Sequence, residues 1–373
     1  MTGFLHLLTF GMTITGILYS IAVLTVIWSL RKVRSSRSPV MMPVSVVIAA
    51  RNERHTIGNC LAALAVQDYN PDKFEVIIAD DRSGDGTSEV IERFRPVFKK
   101  LIHIRIKEIE KGNSPKKNAL SKAIDSAKGD IILQTDADCI PPPCWISGMV
   151  SRFEEDVAMV TGIAPYSQEP GILNSFIRHE YLWNAALSAA SIAACHGSHA
   201  SGRNLAFKKD TFFACEGYSS HKKVLSGDDT LLMQRFCKKN PSSVVTMPDR
   251  STHVFTRAPG SFTGFIRQRI RHMSTGKYFD PFLIVLGGFI YGFHILLVSA
   301  FIMSVASSSA MIYFLAGFVW KCAWDAAAVR RTKTVLKLDA EWRKYIVNEF
   351  FLTLYMAGIP LCGLIFPVKW KEK

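Results

Sequence analysis

No Cys-x-x-Cys pair occurs in this chain. Its eight cysteines stand at 60, 139, 144, 195, 215, 237, 322 and 362, and the one close pair, Cys139 and Cys144, has a spacing that zinc sites do not use. A cysteine-held metal cluster is therefore set aside, and reduced thiols in a cytosolic or membrane setting are expected. Charge is missing too, but locally. Residues 1–30 and 281–320 contain no Lys, Arg, Asp or Glu. Acidic residues are in overall deficit, 31 against 45 Lys and Arg, for a formal charge of +14. That balance favours an anionic partner: nucleic acid, a phosphorylated substrate or an anionic lipid surface. With 49% hydrophobic residues and a mean hydropathy of +0.16, concentrated at the two ends, the membrane leads among these.

No basic segment precedes the first apolar run, which excludes an ordinary secretory signal peptide. Leu7 to Leu30 is long enough to span a bilayer, which takes roughly 20 apolar residues. Arg31, Lys32, Arg34 and Arg37 follow it, so the positive-inside rule places residue 31 onward in the cytoplasm. Residues 281–320 would make roughly 60 Å of helix, about twice a bilayer core. The small polar stretch from Ser304 to Ser309 divides them into two antiparallel spans. Arg330, Arg331, Lys333, Lys337, Arg343 and Lys344 return the chain to the cytoplasmic side. Lys321 and Asp325, at the inner end of that span, are expected to pair or to snorkel. A last apolar segment, Phe350 to Val368, is interrupted by Pro360, and the sequence leaves open whether it spans or is re-entrant. If it spans, Lys369, Lys371 and Lys373 fall outside.

Between the ends, short β-branched runs alternate with helical spacing. Strands are expected at Val44–Ala50, Phe74–Ala79, Ile102–Ile106 and Asp130–Gln134, and helices at Thr56–Gln67 and Ser114–Ala127. Thr87 is a candidate cap for a further helix. This alternation argues for an α/β, mostly parallel sheet, whose ligands bind beyond the C-terminal strand ends. Asp80, Asp81, Asp136 and Asp138 fall at such ends. Asp136 and Asp138 flank one alanine, so both carboxylates can reach one hard cation, Mg²⁺ or Mn²⁺, that neutralises a departing diphosphate. Asp80 and Asp81 read either as base or ribose contacts or as turn caps. Asp228 and Asp229 follow Ser226-Gly227 and open a helical run. Acids there suit the helix dipole, or supply a general base for an attacking hydroxyl. The basic stretch from Arg267 to Lys277 contains Gln268, Arg271 and His272, and suits lipid headgroups or a diphosphate. His179, His196, His199, His221 and His253 are too scattered for a zinc site.

Taken in order, these segments resemble family 2 glycosyltransferases with a GT-A fold. The resemblance covers about residues 43–275. Val44 to Glu53 is similar to the family's opening strand and Asn-Glu turn. Asp80-Asp81-Arg82-Ser83, with Asp85 and Thr87, matches its nucleotide-binding pattern, and Lys117-Asn118-Ala119-Leu120 its lysine-headed helix. Asp136-Ala137-Asp138 matches its metal-binding D-x-D, and Gly202 to Phe207 its acceptor-facing segment. Asp228-Asp229 stands where many members have Glu-Asp. Gln268 to His272 matches Q-x-x-R-W except for His272 in place of tryptophan, a departure that argues against processive polymerisation. The resemblance implies a nucleotide-sugar site of Ala50, Asn52, Glu53, Asp80, Asp81, Lys117, Asp136, Gln268 and Arg271. It implies catalytic Asp229 with Asp228, an acceptor side of Gly202, Arg203, Asn204 and His272, and a divalent cation, Mg²⁺ or Mn²⁺, on Asp136 and Asp138.

The expected organisation is a membrane anchor at 1–30, a basic linker at 31–42, a GT-A domain at 43–275, and a membrane region at 276–373 with two to three further spans. The expected activity is inverting transfer from a UDP- or GDP-sugar to a hydroxyl of a lipid or lipid-linked glycan at the cytoplasmic face of a membrane, a bacterial inner membrane from the compact layout. Membrane lipids are partners and nucleic acid is not. A template-dependent RNA polymerase also uses an S-G-D-D turn, but the charge-free ends and the Asp80–Asp81 strand end have no place in one. A processive synthase and a non-catalytic nucleotide-binding scaffold are the alternatives. The spans are few for a polymer channel unless an oligomer supplies more.

Overall fold

The computed structural model describes residues 2–35, 41–108, 114–219, 227–274, 276 and 281–365. Ser226, Lys277, His221 and the lysines at 369, 371 and 373 lie outside them. In chain order the elements are α1 (Thr2–Ser29), β1 (Val44–Ala50), α2 (Ile57–Ala65), β2 (Phe74–Asp81), α3 (Thr87–Phe94), β3 (Leu101–Ile106), α4 (Pro115–Asp125), β4 (Ile131–Asp136), α5 (Trp145–Val150) and β5 (Met159–Gly162). There follow α6 (Ile172–Ala193), β6 (Leu205–Lys208), α7 (Lys209–Ala214), α8 (Asp228–Lys239), β7 (Val244–Met247), α9 (Phe262–Met273), α10 (Pro281–Met303), α11 (Ser308–Leu336) and α12 (Tyr345–Ile365).

These divide into two compact units. One comprises Val33–Ser167 and Ser191–Arg257; the other comprises Met1–Lys32, Gln168–Ala190 and Ala258–Lys373. The first is built on one seven-stranded sheet, ordered β3-β2-β1-β4-β6-β5-β7. The β1–β4 half is parallel throughout, as its strand-helix alternation requires. β6 enters antiparallel to both β4 and β5. Alternate residues of each strand feed opposite cores. Val46, Ile48, Ile78 and Leu133 meet Leu61 of α2 and Trp145 of α5, while Val47, Ile77 and Ile132 meet Leu120 of α4 and Phe236 of α8.

Gly129, just before β4, shows how closely backbone passes backbone here. A Cβ on it would stand 2.5 Å from Ser45 N and Val44 C. Asn204 is the polar pin of this unit. Its amide accepts from Trp145 Nε1 at 2.8 Å and donates to the carbonyls of Ile163 and Thr252, each at 2.8 Å. Asn204→Leu takes this partner from Trp145 Nε1 and the Thr252 carbonyl at about 1–3 kcal/mol apiece, while the Ile163 carbonyl keeps Val254 N at 3.1 Å. A loss of roughly 3 kcal/mol or more is expected, read from Trp fluorescence in a urea titration.

In the helical unit, α1 packs on α10 and α11, α10 on α12, and α12 on α9. Four helices among the described residues are long and apolar enough to cross a membrane: Leu7–Lys32, Ile284–Met303, Ser308–Leu336 and Trp342–Gly363. The polar stretch at 304–309 does separate two of them, and the last apolar segment is a helix that carries Pro360 inside it. Lys321 and Asp325 do pair, at 2.6 Å and fully buried. They are not alone. Lys321 also bonds Glu349, Tyr19 donates to Asp325, and His179 Nε2 lies 2.8 Å from Glu349 Oε1. This cluster ties α1, α6, α11 and α12 together.

Candidate active site

Strand register assembles the acidic groups. Ala50 of β1 pairs with Asp80 of β2, and Ala49 pairs with Asp136 of β4. Strands lie roughly 4.8 Å apart, so the two acidic motifs flank the end of β1 about 10 Å from each other. Antiparallel β6 places Gln134 opposite Leu205, and Thr135 Oγ1 donates to the Arg203 carbonyl at 2.8 Å. Gly202 and Arg203 thereby arrive beside Asp136.

The loops after β1 and β2 are laced together. Asn52 N donates to Ser83 Oγ at 2.9 Å, and Gly84 N to Asn52 Oδ1 at 3.0 Å. Glu53 N donates to Thr87 Oγ1 at 2.8 Å, and that hydroxyl donates to Asp85 at 2.6 Å. Asn52 and Arg82 adopt left-handed conformations, with φ of 55° and 57°. Thr87 is not the cap expected of it; Gly86 holds the cap position of α3 with φ 97°. Asp80 accepts from Ser83 N and Ser88 Oγ, and His103 Nε2 stands 3.6 Å from it. Burial pushes its pKa up, but these bonds outweigh it and hold the carboxyl well below the usual range. Asp81 takes a two-pronged grip from Arg82, at 2.9 and 3.1 Å.

The second half of the site centres on Asp229. Together with Asp228 it forms the first turn of α8, behind Gly227 at φ 76°. Gln134 Nε2 donates to Asp229 Oδ1 at 2.9 Å, and Gly202 N to Oδ2 at 2.7 Å. Tyr218 donates to Gln134 Oε1 at 2.9 Å, which fixes the carboxamide with its NH₂ toward the acid. Lys116 Nζ lies 2.7 Å from Asp136 Oδ1. Desolvation raises the Asp229 pKa, Lys116 opposes this, and Asp228 and Asp136 add to it; the result is about 6. Loss of surrounding water and the adjacent Asp136 charge both raise Asp138.

Gly202 is required by geometry. A Cβ there would stand 2.3 Å from Gln134 Nε2 and 2.5 Å from Asp229 Oδ2. Gly202→Ala must push both groups aside. With Asp229 as the base the sequence leads one to expect, a shift of about 1 Å costs on the order of 10²-fold, so kcat should fall by about that factor with donor KM little changed.

Other sequence-selected residues have different surroundings. Lys117 is buried against Asp228 at 3.1 Å, and the neighbouring Lys116 is the lysine at Asp136. Asn204 points into the core, its amide fully engaged there. Gln268, Arg271 and His272 lie on α9, in the helical unit. Arg203 stacks over Tyr166, 5.0 Å from the ring centre. Sequence reasoning missed Lys116, Gln134, Tyr166 and Tyr218. Gln134 alone carried a signal, as an amide inside an apolar strand two residues before the D-x-D.

Among the described residues no group of three or more His, Cys, Asp or Glu could hold a metal ion. Asp136 and Asp138 offer two hard oxygen donors. That suits a cation such as Mg²⁺, which typically takes one or two protein carboxylates and completes its shell with water and substrate phosphates.

Known proteins share the fold and parts of the sequence. A solved mannosyltransferase, PcManGT from Pyrobaculum calidifontis in complex with GDP-Man and Mn²⁺, superposes with a TM-score of 0.64 at 19% identity, covering 94% of this chain and 99% of that one. The fold is therefore GT-A. Residues 131–359 match the family described as Glycosyl transferase family group 2, and residues 45–211 match Glycosyl transferase family 2. This chain belongs to the family 2 glycosyltransferases. Glycosyltransferase AglE of Haloferax volcanii is 34% identical over 108 residues, 29% of this chain and 34% of that protein. The beta-monoglucosyldiacylglycerol synthase of Synechocystis is 32% identical over 110 residues, 30% of this chain and 22% of that protein. The matched segments thus span about a third or less of these relatives' lengths.

Proposed function

We propose that this protein moves a sugar from a nucleoside diphosphate donor, UDP- or GDP-linked, to a hydroxyl of a lipid or lipid-linked glycan at the cytoplasmic face of a membrane. The observation that carries the reading is the setting of Asp229. Two neutral donors grip its carboxylate, its pKa is raised to about 6, and it sits beside the strand-end acid Asp136. A base for a hydroxyl needs such a poised carboxylate near the operating pH.

In the proposed step Asp229 takes the acceptor O–H proton. The freed oxygen forms a bond to the anomeric carbon as the bond from that carbon to the phosphate oxygen breaks, and the diphosphate leaves with the electron pair. One displacement inverts the anomeric centre. Asp136 and Asp138 would hold Mg²⁺ or Mn²⁺, which would supply charge neutralisation for the diphosphate. Lys116 adds fixed positive charge, and Arg203 lies on the same side. Asp80 and Asp81, with the laced turn of Asn52 and Glu53 beyond Ala50, form the nucleoside end. Gln268 and Arg271 are proposed for the diphosphate and His272 for the acceptor.

Four candidate spans support a membrane acceptor, as does a relative named for a glucosyldiacylglycerol product. The deciding experiment incubates the purified protein with a donor panel and membrane lipids and identifies the product by mass spectrometry. A glycolipid carrying one added sugar of inverted configuration is the expected product. A long homopolymer, or no donor consumption, would overturn the reading.

A further inference from the structure

The helical unit has a cavity of about 360 Å³ that the catalytic reading leaves unused. Ligand pockets run from roughly 300 to 1,000 Å³, so it is large enough for a small polar group. Gln168, Ser175, Arg178, His179, Asp339 and Glu341 supply its polar wall. Arg178 Nη2 and Ser175 Oγ both donate to Glu341 Oε2, at 2.9 and 2.8 Å, and Gln168 Nε2 donates to Asp339 Oδ2 at 3.1 Å. Arg178 Nε has no hydrogen-bond partner among the described residues. A carboxylate offers about four lone-pair positions, so these bonds leave the wall able both to accept and to donate.

Charge selects the ligand. Arg178 and Lys344, the latter 2.9 Å from Glu341 Oε1, balance the carboxylates of Asp339 and Glu341, so the wall has no net positive charge to attract a phosphate. Hydroxyl groups fit it better, since each donates one bond and accepts others. Position selects it further. Asp339 and Glu341 lie in the connector between the candidate spans Ser308–Leu336 and Trp342–Gly363. Trp342, 40% exposed, leans on Tyr345 with ring centres 5.3 Å apart, the placement of an interfacial aromatic. Ile346, Val347 and Phe351 on α12 are exposed and apolar. A polar pocket thus opens at headgroup level beside a surface suited to hydrocarbon chains.

We propose that this cavity binds an uncharged sugar or polyol head group, carried by a membrane lipid whose chains lie along α12. The proposal extends the membrane-acceptor reading, but binding needs neither donor nor Asp229, so the two fail separately. The test uses the full-length protein in phosphatidylcholine nanodiscs. Binding of a monoglucosyl diacylglycerol is measured against phosphatidylglycerol and against free maltose, with no nucleotide-sugar present. The glucolipid should bind and phosphatidylglycerol should not compete. Glu341→Ala and Gln168→Ala should each weaken binding, the former about tenfold or more, as expected for loss of a charged acceptor. Gln168 is exposed, so its substitution leaves folding intact. If maltose binds as tightly as the glucolipid, the lipid-borne source is overturned while the sugar chemistry stands. Absence of glucolipid binding, competition by phosphatidylglycerol, or wild-type affinity in both variants overturns the site.

Discussion

Asp229→Asn should lower kcat by about 10²- to 10⁴-fold, the range that removal of a general base produces. The donor KM should change little, because the acid faces Gln134 and Gly202 rather than the nucleoside end. The substitution is not silent for structure. Both oxygens accept a hydrogen bond now, and an asparagine would turn an NH₂ toward one of these donors. Asp229→Glu keeps the charge but moves it by a methylene, and should recover part of the rate. In the unaltered enzyme the base works only when ionised. With a pKa of about 6, kcat/KM should fall as pH drops below that value and level off above it. The fall should disappear in Asp229→Asn. Nucleoside diphosphate release across a pH series measures both effects. Full activity in Asp229→Asn would remove the base assignment.

The second large effect concerns the cation. Chelation should abolish transfer, and either Mg²⁺ or Mn²⁺ should restore it. Asp138→Asn removes one of the two hard carboxylates proposed to hold the ion. Lewis-acid stabilisation is worth several kcal/mol, so a loss of about 10²- to 10⁴-fold is expected. It should be partly recovered by raising the metal concentration, which a purely structural defect would not be. Asp136→Asn should do more damage, because Asp136 also holds Lys116 at 2.7 Å. Metal titrations of turnover, with isothermal titration of Mn²⁺ in the presence of UDP or GDP, separate loss of binding from loss of chemistry. Wild-type turnover in a chelator would end the metal assignment.

Much of the catalytic unit is legible in the sequence because its first half is local. β1 and β4 are β-branched runs ended by polar turns, and parallel order follows from the helix between each strand pair. The acids at 80, 81, 136 and 138 could be placed at strand ends for that reason. β5, β6 and β7 escaped because four residues are too short to display a period. Within the segment Gly202 to Phe207, Leu205 opens an antiparallel strand, Leu205–Lys208, that lies between β4 and β5.

Long-range pairing was hidden for a different reason. Lys116 and Lys117 are adjacent in the first turn of α4, and only the packing of that helix decides which one meets Asp136 and which meets Asp228. Tyr218 and Gln134 are 84 residues apart, and no spacing rule joins them. Lys321 and Asp325 could be paired from their i,i+4 spacing, but the arrival of Glu349 and His179 could not.

In a bilayer that four-way cluster would constrain how the protein is made. A bare ammonium at membrane depth is costly to insert, whereas one neutralised by neighbouring carboxylates is far less so. Asp325 travels on the same helix as Lys321, but Glu349 arrives only with the next span, after the short connector around Asp339. α11 and α12 are thus suited to leave the insertion machinery as a hairpin, and a chain truncated before Glu349 would lodge Lys321 with half its counter-charge.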